Sequence, residues 1–150
     1  MSVVEVFHDT NVLLYLMSAD TAKADRAEAL LACGGCISVQ VLNEFASVAS
    51  RKLAMPWSEI EETLAGLRRI VGVHPLTEQT HDLGLALARD HQLAVYDAMI
   101  VASALIAGCK TLYSEDLQHG RVFERQLRVQ NPFAPLHAGP ASKTRRISRP

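Results

Sequence analysis

Aromatic side chains are scarce in this chain. Phe, Trp and Tyr make up 5% of its 150 residues, which argues against a surface tiled with stacking platforms for nucleobases. A strong charge of one sign is also missing, since the formal net charge is −1. That small value hides an asymmetry. Lys143, Arg145, Arg146 and Arg149 sit in the last eight residues, and without those four of 15 basic residues the remaining 11 face 16 acids, giving −5 for residues 1–142. The body is acidic and the tail is basic. No apolar run is long enough to span a bilayer. The opening MSVVEVFHD has no basic leader, and Asp9 interrupts its apolar stretch, so no secretory signal is read. Three cysteines, an odd count, give no disulfide framework. These absences point to a cytoplasmic chain with no membrane partner. No internal repeat is present.

What is there fits one globular domain. With 49% hydrophobic and 21% charged residues, 150 residues bury a sizeable core. Val3 to Phe7 reads as a strand, central because both of its faces are largely apolar. Asn11 to Leu16 reads as a short helix, and Thr21 or Ala22 to Ala32 as a second one ended by Gly34-Gly35. Cys36 to Val39 is a second strand. Gln40 to Leu53 is a long amphipathic helix with Val41, Leu42, Phe45, Val48 and Ala49 inward. Ser58 and Glu61 form a capping box for a helix to about Val71. Gly72 to Leu76 is a third strand, and Thr77 caps a helix to about His91. Asp97 to Ala107 is nearly all apolar and so a buried helix. Thr111 to Tyr113 and Leu127 to Val129 are the fourth and fifth strands. This alternation predicts an α/β fold with a central parallel sheet of about five short strands and helices on both faces. The domain spans residues 1–133. Residues 134–150, basic and proline-containing, are expected to be disordered.

Most acids fall on faces that read as solvated, as Glu59, Glu61 and Glu62 do. Four do not. Asp9 lies at a seam between two apolar runs, where a carboxylate is costly without a partner. Glu44 lies one turn into the helix after the second strand, flanked by Leu42 and Phe45. Asp97 opens the buried helix, and Asp116 follows the fourth strand. Alone, Asp97 reads as a cap, Asp116 as a turn residue and Glu44 as an ordinary helical acid. Together they gather at one edge of a parallel sheet, where ligands of such folds bind. Four clustered carboxylates must take up protons or a cation. Oxygen ligands without Cys or His favour Mg²⁺ or Mn²⁺ over zinc. The chemistry that suits them is phosphodiester hydrolysis.

The segments HDTNVLLYL, VLNEF, YDAMIVASALIAGC and LYSEDLQHG stand in this order. With the closing VQNPF they make residues 4 to 133 resemble a PIN-domain protein of the VapC toxin type. The resemblance implies a metal-dependent endoribonuclease, the toxin of a toxin–antitoxin pair. Asp9, Glu44, Asp97 and Asp116 match the acidic quartet that holds one or two Mg²⁺ or Mn²⁺ ions. There a metal-activated water attacks the RNA phosphodiester. Asn11 and Ser114 match polar positions that orient the acids. The implied partners are RNA, a small cognate antitoxin and a second copy of the chain.

Other signals are weaker. Glu115 is expected to point outward, and His8 to face away from Asp9. Arg51, Lys52, Arg68, Arg69, Arg89, Lys110 and Arg121 are candidates to hold an RNA backbone, although each reads first as solvated surface. Cys33-Gly-Gly-Cys36 has redox-motif spacing but closes a helix instead of opening one. Two rival functions remain. A phosphatase or phosphoryl-transfer enzyme would use Asp9 as nucleophile, but the second Asp expected two residues later is Asn11. A binding module would hold RNA or a protein partner without cutting.

Overall fold

The computed structural model describes residues 5–134. The expected tail, and Val3 and Val4 of the expected first strand, fall outside that range. Six short strands form one sheet: β1 (Val6–His8), β2 (Cys36–Ser38), β3 (Gly72–His74), β4 (Thr111–Tyr113), β5 (Val122–Phe123) and β6 (Leu127–Gln130). Their order is β3-β2-β1-β4-β6-β5. All neighbours are parallel except β5, which pairs antiparallel with β6 at the edge. This two-residue edge strand has no counterpart in the sequence reading, because two residues carry no readable alternation.

Strand β1 is central, as its apolar parity implies. Phe7 and His8 have no exposed surface. From β1 the chain builds outward through β2 and β3 on one side, and through β4 and β6 on the other. The switch in direction lies between β1 and β4, and beyond the carboxyl ends of those strands is where such a sheet opens a crevice. The ladder extends one residue past β1 through Asp9 N–H, which donates to the Tyr113 carbonyl at 2.9 Å.

Among the described residues six α-helices cover the sheet: α1 (Thr10–Leu14), α2 (Thr21–Ala32), α3 (Val39–Arg51), α4 (Trp57–Leu67), α5 (Glu78–His91) and α6 (Val95–Ile106). Among the described residues no helix is long and apolar enough to cross a membrane. Helix α6 buries seven consecutive residues, Ala98 to Ala104, which explains its lack of a polar face. It packs against α5, where Gly84 leaves room for Met99. Thr77 caps α5 as expected, its hydroxyl accepting from Thr80 N–H. Two caps differ from expectation. Helix α4 starts at Trp57, behind Pro56, so Ser58 lies within the helix and its box with Glu61 does not form. Proline fixes a φ suited to that boundary without any side-chain cap. Helix α6 starts at Val95, which moves Asp97 from cap to third helical residue. The Asp97 carboxylate is therefore not spent on closing its own helix.

Gly35, before β2, is held at φ +98°, and a Cβ there would meet the Val6 carbonyl at 2.8 Å and His8 Nε2 at 2.9 Å. Gly120 has a similar φ of +88° and open space around it. Gly35→Ala should cost about 2–4 kcal/mol of stability, and Gly120→Ala only about 1 kcal/mol. Urea unfolding of both variants checks this; equal losses would show that the approach of Gly35 to β1 does not constrain the fold.

Candidate functional site

Four elements deliver the acids. Asp9 ends β1 and caps α1, and Asp116 follows β4. Glu44 lies in the second turn of α3, and Asp97 in the first turn of α6. Asp9 is 4% exposed, and both of its carboxylate oxygens are held. Oδ1 accepts from Thr10 N–H at 2.7 Å, and Oδ2 from the Ser114 hydroxyl at 2.7 Å. The Asn11 amide spans two acids, donating to Asp9 Oδ2 at 3.4 Å and to Asp116 Oδ2 at 3.1 Å. Ser114 Oγ also accepts from Asp116 N–H at 3.1 Å. Asn11 and Ser114 thus lie between Asp9 and Asp116.

Glu44 joins from the other side. Its Oε1 accepts from the Thr10 hydroxyl at 2.5 Å. Its Oε2 accepts from Gln40 Nε2 at 3.1 Å, and the same Gln40 nitrogen also donates to the Tyr96 carbonyl at 3.0 Å. Thr10 and Gln40 escaped the sequence reading. The signal for Gln40 was its spacing, four residues before Glu44 and hence on the same helical face. Thr10 lay in plain view inside Asp-Thr-Asn.

The electrostatics tie all four acids together. The Asp9 carboxyl is pushed up to about 7, mainly by burial. Hydrogen bonds from Ser114 and Thr10 oppose that rise, and the charges of Asp116 and Glu44 add to it. Asp97 is also raised, by burial first and then by Asp116 and Glu44. Among the described residues, none of the four forms an ion pair with Lys, Arg or His. Nor do three His, Cys, Asp or Glu side chains there stand close enough to enclose an ion. The acids are neighbours through field and hydrogen bonds, with no closed cage.

Two nearby residues resolve differently. Glu115 was expected to point outward. It turns in and accepts from the Tyr15 hydroxyl at 2.9 Å, while its other oxygen is buried without a partner. Asn11 Oδ1, which accepts from Glu115 N–H at 3.3 Å, fixes that turn. His8 does face away. Its Nε2 donates to the Gly34 carbonyl at 2.8 Å, and its ring stacks on Tyr113. Burial lowers its pKa, so it stays neutral and apart from the acids. Cys36 contacts Cys109, with sulfurs 3.4 Å apart, while Cys33 is exposed. The Cys33–Cys36 spacing therefore forms no pair.

The family model for the PIN domain matches residues 6–124. The chain belongs to the PIN-domain family. Solved structures share its PIN fold at low identity. A toxin–antitoxin complex from Klebsiella pneumoniae matches with a TM-score of 0.64 and 20% identity, over 87% of this chain and 99% of that one. VapC20 of Mycobacterium tuberculosis, a sarcin-ricin loop cleaving toxin, gives 0.61 and 22%, over 73% and 88%. VapBC2 from Rickettsia felis, bound to a DNA fragment from its promoter, gives 0.58 and 16%, over 84% and 98%. A search of curated proteins gives no significant match.

The raised Asp9 pKa makes stability depend on pH. The folded form holds its proton up to about pH 7, whereas the unfolded carboxyl loses it near 4. The contribution is therefore complete below about pH 4 and is lost as pH rises through 7. In metal-free buffer, Asp9→Asn should raise the melting temperature by roughly 5–10 °C at pH 8 and by much less at pH 4. A pH-independent difference between the two proteins would contradict the assignment.

Proposed function

We propose that this PIN domain is a divalent-metal-dependent endoribonuclease, the toxin of a toxin–antitoxin pair. The observation that carries the reading is Asp9, a carboxylate whose pKa is raised first by burial and then by two neighbouring acids, with no cation beside it among the described residues. Membership of the PIN family supports it, as does a fold shared with structures named as toxins or toxin–antitoxin complexes.

The donor set suits Mg²⁺ or Mn²⁺. Asp9, Glu44, Asp97 and Asp116 offer hard oxygen atoms, and His8 is turned away. A closed cage is not required, because Mg²⁺ keeps several waters and takes one or two carboxylates with a substrate phosphate. When bound, such an ion supplies charge stabilisation to the phosphodiester and lowers the pKa of a coordinated water. The chain's own residues set the geometry. Ser114 and Thr10 N–H fix the Asp9 carboxylate, Asn11 holds Asp116 beside it, and Thr10 and Gln40 aim Glu44. The phosphatase alternative fits less well. Both Asp9 oxygens already accept hydrogen bonds, and Asn11 bridges two acids where that chemistry needs a second Asp. RNA is the proposed substrate. Arg51, whose guanidinium donates to Ser47 Oγ at 3.0 Å on the wall of the cleft beside Glu44, is the proposed contact to its backbone. A small antitoxin and a second copy of the chain are the proposed protein partners.

Incubation of purified protein with RNA should give Mn²⁺- or Mg²⁺-dependent cleavage that stops with chelator. Asp9→Asn should abolish it. Ser114→Ala should lower it by about 10- to 100-fold, as loss of a ligand-orienting group does. Glu59→Gln, on the exposed face of α4, should leave it unchanged. Full cleavage by Asp9→Asn would refute the reading.

A further inference from the structure

Two clefts reach the acids, one at Asp116 and one at Glu44. One, of about 310 Å³, opens beside Asn11, Tyr15 and Asp116. The other, of about 600 Å³, runs between α3, α5 and the start of α6, and Glu44 is on its wall. The larger cleft carries a feature that the acid chemistry does not use. Tyr96 lines it while 70% exposed, and Leu76 and Val95 beside it are also exposed. A large aromatic left in water at the mouth of an active-site cleft is a binding feature before it is a packing one.

We infer that this cleft seats one unpaired nucleobase of the RNA, stacked on Tyr96, next to the phosphate held at the acids. The inference rests on the ribonuclease reading and names the part of the substrate that this side of the site takes. Three observations carry it. First, the lining has the wrong charge for a phosphate. Glu44 is its one acid, and it contains no Lys or Arg. A base is neutral and flat, with apolar faces and polar edges, and it matches a wall of Leu76, Val95, Tyr96 and Met99. Second, polar groups that could bond the edge of a base share the lining with Tyr96. Asn43 and His81 line the cleft, and their side chains have no hydrogen-bond partner among the described residues. Third, the platform is tied to the acids. Gln40 Nε2 binds both the Tyr96 carbonyl and Glu44 Oε2, and Asp97 follows Tyr96 on the same turn. The backbone that carries the aromatic ring is thus tied to Glu44 and runs directly into Asp97. An unstacked, single-stranded base is needed, since a paired one offers no free face.

The test titrates the ¹⁵N-labelled full chain with single-stranded hexaribonucleotides in Ca²⁺, with cleavage in Mn²⁺ measured separately. Amide shifts should appear at Asn43, Thr80 and His81. Affinity should fall about tenfold in Tyr96→Ala and stay within about twofold in Tyr96→Phe, as stacking on an aromatic face implies. An abasic hexamer should bind wild type as weakly as the normal hexamer binds Tyr96→Ala. Shifts confined to other surfaces would overturn the inference, as would equal affinities for the Ala and Phe variants. So would concentration-dependent shifts of the same amides without RNA, which would give the cleft to a second copy of the chain. Cleft shifts without any cleavage would remove the nuclease reading and leave the base site standing. Cleavage that Tyr96→Ala does not alter would do the reverse.

Discussion

Burying a carboxylate costs free energy that a folded chain must recover elsewhere. In this PIN domain the cost falls on Asp9, at the end of the central strand. Its position follows from the sheet. Strand β1 is flanked by β2 and β4, and its ladder runs on through Asp9 N–H to Tyr113. That bond fixes the backbone, and Ser114 and Thr10 N–H fix the side chain. The carboxylate therefore cannot turn to solvent without breaking contacts on both neighbouring elements. Asp116 and Glu44 add to the rise that burial causes in its pKa, and no Lys, Arg or His among the described residues pairs with it.

The rest of the site is organised around that constraint. Asn11, Ser114, Thr10 and Gln40 each bind an acid, and each comes from β1–α1, the turn after β4, or α3. Their bonds make the arrangement rigid before any ligand arrives, which is how a site avoids paying for reorganisation later. The two clefts meet this cluster at different acids, Asp116 and Glu44. Tyr15 and Glu115, joined by a hydrogen bond, line the smaller one, whereas Tyr96 leaves the larger one with an exposed aromatic face.

Much of this was legible in the sequence, for physical reasons. The alternation of strands and helices announced the parallel sheet, and the polar seam after β1 marked Asp9. Helix α6 was visible because the burial of Ala98 to Ala104 leaves Ser103 as the one polar side chain in that stretch. Boundaries were less visible. Pro56 displaced the start of α4 from Ser58, and Val95 took the place of Asp97 as the opening of α6. A low aromatic content argued against many stacking surfaces, and it concealed that a single exposed Tyr96 stands beside the acids. The roles of Thr10 and Glu115, and the tie of Gln40 to Tyr96, depend on contacts between residues 34 to 100 positions apart, which no local pattern encodes.

The central claim is that the acid cluster exists to bind a divalent cation through Asp9. Calorimetric titration of Mn²⁺ into wild type and Asp9→Asn at pH 6.5 tests it most directly. With the Asp9 carboxyl at about 7, wild type should bind Mn²⁺ and release a proton, seen as a heat that varies with buffer ionisation enthalpy. Asp9→Asn should bind at least about tenfold more weakly and release none. Equal binding by both proteins, or no binding by wild type, would contradict the account.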